Sequence, residues 1–121
     1  MKRILVVDDD GHLRELLAAT LGQDGRTVDV AQDGVEALAL LGANSYDVVL
    51  SDLRMPGLDG PAVYRAIERQ PPPRPAVIFV TGYADAGRYE EFLRTVQVPV
   101  VGKPFDINVL RDVVRRRLSG T

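Results

Sequence analysis

The chain has 121 residues, 45% of them apolar and 26% charged, with a formal net charge of -2 and no cysteine. This describes one domain, residues 1–121, able to bury roughly two thirds of its unfolded surface, and excludes a disordered or membrane-spanning class. The missing cysteines exclude disulfides, thiolate zinc sites and a Cys nucleophile and fit a cytoplasmic protein; the slight negative charge gives no reason to expect nucleic acid or a membrane as partner.

The apolar run Ile4 to Val7 reads as the first strand, and it ends in Asp8-Asp9-Asp10. No cleavage site follows it, so no signal peptide is read, and the short lead is expected of a chain that begins naturally at Met1. Leu13, Leu16, Leu17, Thr20 and Leu21 then share one helical face, with Asp10 as the cap, His12 exposed in the first turn and Gly25 as a left-handed terminator. Thr27 to Val30 alternates in polarity, as an edge strand does. Asp33 caps a second helix with its stripe on Val35, Leu38 and Leu41.

Val48 to Leu50 is a strand that delivers Ser51 and Asp52 to a Met55-Pro56-Gly57 turn. Asp59 caps a third helix with Pro61 in its first turn and Val63, Ala66 and Ile67 inward. Pro71-Pro72-Pro73-Arg74-Pro75 is an extended connection, because no helix survives it. Val77 to Val80 is the fourth strand and ends at Thr81. Tyr89, Phe92, Leu93 and Val96 stripe a fourth helix. Val98 to Val101 is a strand that Pro99 confines to a sheet edge, followed by Gly102-Lys103-Pro104. Ile107, Leu110, Val113, Val114 and Leu118 stripe the last helix, whose final turn carries Arg115, Arg116 and Arg117 to suit the helix dipole; Phe105 reads as a packing residue.

Strand and helix therefore alternate five times, which predicts an α/β doubly wound parallel sheet with right-handed crossovers and helices on both faces. Ligands of such sheets bind at the carboxyl ends of the strands. Asp8, Asp9, Asp52, Thr81 and Lys103 all fall at such ends. Carboxylates about 4 Å apart repel by about 4 kcal/mol at an effective dielectric of about 20, so they require protons or a cation. A hard divalent ion such as magnesium, shared with a phosphate, fits oxygen ligands.

Ile4 to Asp10, Asp52 to Gly60, Thr81-Gly82 and Lys103-Pro104-Phe105, in this order and spacing, resemble the receiver domain of two-component response regulators across residues 2–118. The resemblance implies the flavodoxin-like strand order 2-1-3-4-5, for which a protein of this family is the standard illustration. It implies that Asp52 takes a phosphoryl group from a histidine kinase or phosphotransfer protein, giving an aspartyl phosphate. It also implies Mg²⁺ held by Asp9 and Asp52 directly, by Asp8 through water and by the backbone carbonyl of Arg54, with Lys103 and Thr81 meeting the phosphoryl group. Such a protein signals to a downstream partner, of unknown identity here, and is no enzyme beyond its own phosphorylation and dephosphorylation. Many receivers carry an aromatic residue where Val100 stands, so a pseudo-receiver that only binds partners is one alternative; the receiver fragment of a hybrid histidine kinase is another. Arg54 and Tyr83 hold positions that vary in the family and flank the site.

Overall fold

A computed structural model describes residues 2–119, with the backbone alone for Tyr83 and Ala84. The elements are β1 (Arg3–Val7), α1 (Gly11–Gly22), β2 (Thr27–Ala31), α2 (Gly34–Ala43), β3 (Val48–Ser51), α3 (Gly60–Glu68), β4 (Ala76–Gly82), α4 (Tyr83–Arg88), α5 (Glu90–Val96), β5 (Val100–Lys103) and α6 (Ile107–Leu118). All neighbouring strands pair in parallel in the order β2-β1-β3-β4-β5. The edges are β2 and β5, as alternation and Pro99 require.

Alternate residues of the central strands feed two cores, which is why their sequences read as unbroken apolar runs. Leu5, Val7, Val49, Val77 and Phe79 pack on one face with Ala37 and Leu41 of α2 and Val63 and Ile67 of α3. Ile4, Val6, Val48, Leu50, Ile78 and Val80 pack on the other with Leu17 and Leu21 of α1 and Leu110 and Val114 of α6. The phenyl ring of Phe92 closes the first core edge-on against Phe79 and Tyr64, with centroids 5.7 and 5.8 Å away.

The caps sit where expected. Asp10, Asp33 and Asp59 accept bonds from the first-turn amides of α1, α2 and α3. Asp106 does the same for α6. Gly25 is left-handed, with φ 77°, in the turn after α1.

Four expectations need correction. The fourth helix is two short ones: Tyr89, with φ -105° and ψ 16°, breaks the helix, and its phenol donates to Asp59 Oδ2 at 3.4 Å. The stripe Tyr89, Phe92, Leu93 and Val96 packs on the core as expected, but around α5 alone. In α2 the buried residues are Gly34, Ala37 and Leu41, while Val35 is 63% exposed. Close approach explains the shift, because a Cβ on Gly34 would stand 2.4 Å from the Leu58 carbonyl oxygen. In α1, Leu16 is half exposed, and the inner row is Leu13, Leu17 and Leu21. Finally β5 starts at Val100: Pro99 has no N-H to give, although its carbonyl accepts the amide of Phe79 at 3.0 Å.

Candidate functional site

The carboxyl ends of β1, β3, β4 and β5 meet in one polar rim. Asp8, next after β1, is buried and bonded through four atoms. Its amide donates to the Ala31 carbonyl at 3.1 Å; its own carbonyl accepts from Arg14 Nη1 at 2.7 Å; Oδ1 accepts from the Asp10 amide at 2.9 Å; Oδ2 accepts from Lys103 Nζ at 2.9 Å. Asp10 spends Oδ1 on the amides of His12 and Leu13, so it serves the helix as expected, and His12 is exposed. Asp9 between them is exposed, and its carboxylate has no hydrogen bond or ion pair among the described residues.

Asp52 follows β3. Its amide donates to the Val7 carbonyl at 3.0 Å and its carbonyl accepts from Ser51 Oγ at 2.8 Å, so the backbone is held by the adjacent strand. Gly60 seats the start of α3 against it; a Cβ there would lie 2.6 Å from the Asp52 carbonyl oxygen. Asp52 Oδ2 accepts from Lys103 Nζ at 3.0 Å, so this one ammonium bridges Asp8 and Asp52. Asp52 Oδ1 is buried and has no partner, the one such side-chain atom among the described residues. A buried acceptor without a donor is costly, and such atoms mark places where a ligand completes the structure.

Burial pushes the Asp52 carboxyl up from its ordinary value, and the Lys103 hydrogen bond offsets only part of that push. For Lys103 burial pulls down, but the hydrogen bonds to Asp8 and Asp52 outweigh it and hold the ammonium above its ordinary range.

One oxygen each from Asp8, Asp9 and Asp52 lie within 4.8 Å of one another. Three carboxylates share one ammonium, so negative charge is in excess at the cluster and a divalent cation would offset it. All donors are hard oxygens, as Mg²⁺ prefers, and the unpartnered Asp52 Oδ1 is a free ligand atom. The residues present therefore fit that ion. The Arg54 carbonyl also accepts no hydrogen bond among the described residues.

Thr81, within β4 near its carboxyl end, is buried, and among the described residues its hydroxyl has no nearer partner than the Gly82 carbonyl at 3.5 Å, a bond long enough to give up for another acceptor. Its strand-end position is fixed by pairing with Gly102 of β5, one residue before Lys103. An open cleft of about 450 Å³ lies over the rim, lined by Asp9, Asp52, Arg54, Met55, Pro56 and Asp85. The exposed Arg54 guanidinium stands 3.7 Å from Asp85 Oδ1 across it. The side chain of Tyr83, expected beside the site, lies outside the described residues. Val100 is 42% exposed on the edge strand. Phe105 packs against the second core as expected.

Sequence reasoning missed Arg14 and Asp85, and gave Gly60, inside the quoted Asp52 to Gly60 stretch, no role of its own. Position alone hinted at Arg14, one turn into the helix that the triple aspartate starts; nothing local marks Asp85 or the close packing at Gly60, which matter through contacts across the fold.

Residues 4–115 match the family model described as response regulator receiver domain. The DNA-binding transcriptional regulator NtrC of Salmonella typhimurium is 36% identical over 116 residues, covering 96% of this chain and 24% of that protein. The chain thus spans about a quarter of the length of the curated relatives it matches. Among solved structures, the signal receiver domain of a histidine kinase from Syntrophus aciditrophicus superimposes with TM-score 0.89 at 31% identity, covering 100% of this chain and 92% of that one. The response regulator TrrA of Thermotoga maritima, solved in complex with Mg²⁺-BeF, gives TM-score 0.83 at 35% identity, covering 97% and 99%. Phosphorylation and Mg²⁺ binding are general features of the family. With its 2-1-3-4-5 sheet and its acidic rim, the chain belongs to the response regulator receiver domains of two-component signalling.

Proposed function

We propose that this chain is a single phosphorelay receiver domain whose Asp52 accepts a phosphoryl group from the phosphohistidine of a sensor kinase or phosphotransfer protein. The observation that carries the reading is Asp52 Oδ1, a buried carboxylate oxygen without a donor, beside a committed ammonium and in reach of two further carboxylates. In the transfer the N-P bond of the donor breaks, an O-P bond to Asp52 forms, and the imidazole departs with the electron pair and takes a proton. Phosphoryl transfer needs positioning and charge neutralisation above all.

Asp9 and Asp52, with Asp8 through water and the Arg54 carbonyl, would hold Mg²⁺. When bound, the ion supplies positive charge that lets a carboxylate meet an already anionic phosphoryl group. Lys103 carries a compact cation that can follow the phosphoryl oxygens, and the Thr81 hydroxyl donates to one of them. Once Lys103 and Thr81 turn toward the phosphoryl group, the ends of β4 and β5 shift, and a downstream protein reads the change. The activity is confined to the chain's own phosphorylation and dephosphorylation, and the setting is the cytoplasm; among the described residues no helix is long and apolar enough to cross a membrane.

Incubation with Mg²⁺ and a small phosphodonor, read by intact mass, tests this. The expected result is the gain of one phosphoryl group in the native chain and none in Asp52→Asn. Mass gain in that variant, or no gain with any donor or kinase, removes the reading and leaves a pseudo-receiver.

A further inference from the structure

Arg14 does something its charge alone does not explain. It sits beside a cluster of acids, yet it makes no ion pair among the described residues. Its Nη1 instead donates to the main-chain carbonyl of Asp8 at 2.7 Å, six residues back. Its own amide donates to the Asp10 carbonyl at 3.0 Å. The two bonds bracket Asp9. Because the Asp8 carbonyl and the Asp9 amide share one rigid peptide plane, the guanidinium holds that plane directly. The guanidinium also lies over Gly11, where a Cβ would come only to 3.5 Å of Nη2.

Of the three clustered carboxylates, Asp8 is bonded through both its oxygens and Asp52 is buried in the strand ends. Asp9 has neither kind of support, so the place of its carboxylate is set by its backbone. Mg²⁺ demands near-ideal octahedral placement of its ligands, so an unsupported ligand on a loose loop binds poorly. We infer that Arg14 is a positioning residue for the cation site: by tying the Asp8 carbonyl, it presets Asp9 for Mg²⁺. This rests on the proposed reading of the rim as a Mg²⁺ site.

Charge and positioning make opposite demands here. If Arg14 acted only as a nearby cation it would repel Mg²⁺, and its removal would tighten binding. As the holder of the peptide plane, its removal weakens binding. Titration of the isotope-labelled chain with Mg²⁺, followed at the amides of Asp9, Asp10 and Asp52, reads the sign. Arg14→Met is expected to weaken Mg²⁺ about tenfold, the lower end of what an orienting partner is worth. Arg14→Lys, which keeps a donor on a long stem, recovers most of the loss, and the urea midpoints of both variants stay near that of the native chain. Equal or tighter Mg²⁺ binding in Arg14→Met overturns the inference, as does a loss matched by a general fall in stability in both variants. If the native chain itself shows no Mg²⁺ response, the reading of the rim fails first.

Discussion

The two ends of the sheet handle charge in opposite ways. Toward the amino ends of the strands three acids are matched with cations: Lys2 lies 3.9 Å from Asp47, Arg3 2.9 Å from Asp29, and Asp24 receives Arg26 at 3.3 Å and Arg111 at 2.8 Å. Tyr46 adds a phenol that donates to Asp29 at 2.7 Å beneath the Arg3 guanidinium. At the carboxyl ends three clustered carboxylates share one lysine, and one of their oxygens is buried without a partner. The first end is finished by folding. The second is left unfinished, which is what the proposed cation and phosphoryl group would complete, and the fold carries that cost in its resting state.

The largest expected break in this contrast comes from Lys103→Met. It leaves Asp8 and Asp52 buried without their shared ammonium, and removal of one partner of a buried ion pair costs about 3–5 kcal/mol. Lys2→Met at the other end, where both partners are well exposed, costs about 0.5 kcal/mol or less. Urea unfolding of the two variants side by side measures the difference.

That difference was legible in part. The apolar runs rich in Val and Ile named four strands, the alternation at Thr27 to Val30 named the fifth and made it an edge, and Pro99 named the other edge, because strand identity and edge position are written in local chemistry. The places of Asp8, Asp52, Thr81 and Lys103 followed from strand ends alone. What lay hidden was set by tertiary contact. Gly34 lies on the buried face of α2 because its missing side chain permits close approach to Leu58, which a hydrophobic stripe cannot report. The helix break at Tyr89 accompanies a bond to Asp59, 30 residues away in the chain. Lys103 bridging two acids 95 and 51 residues upstream, and Arg14 reaching a carbonyl, likewise exist only in the folded chain.

Asp52→Asn sharpens the contrast and moves stability the other way. Burial raises the native Asp52 pKa, so the folded chain keeps its proton to higher pH than the unfolded chain does. Native stability therefore falls as pH rises from the ordinary carboxylate value through the raised one, and the burial cost is complete above it. The variant lacks that slope. It should be more stable than the native chain at neutral pH, with the gain fading as the pH drops from the raised value to the ordinary carboxylate value and absent below it. Urea midpoints across that range check the sign.

A smaller effect than that of Lys103→Met is expected within the finished end. Tyr46→Phe removes one hydrogen bond from Asp29, which keeps Arg3, and should cost about 1 kcal/mol. Burial together with the Asp29 bond holds the Tyr46 phenol up to about 12, so in spectrophotometric titration it ionises well above a free tyrosine.

The most direct measurement is the urea midpoint of the native chain and of Asp52→Asn, each without and with Mg²⁺. A ligand at ten times its dissociation constant adds about 1.4 kcal/mol to the state that binds it. The native chain should gain that much while the variant, already relieved of its buried charge, gains far less. Equal gains in both, or no gain in either, would contradict a rim built around Asp52 and a divalent cation.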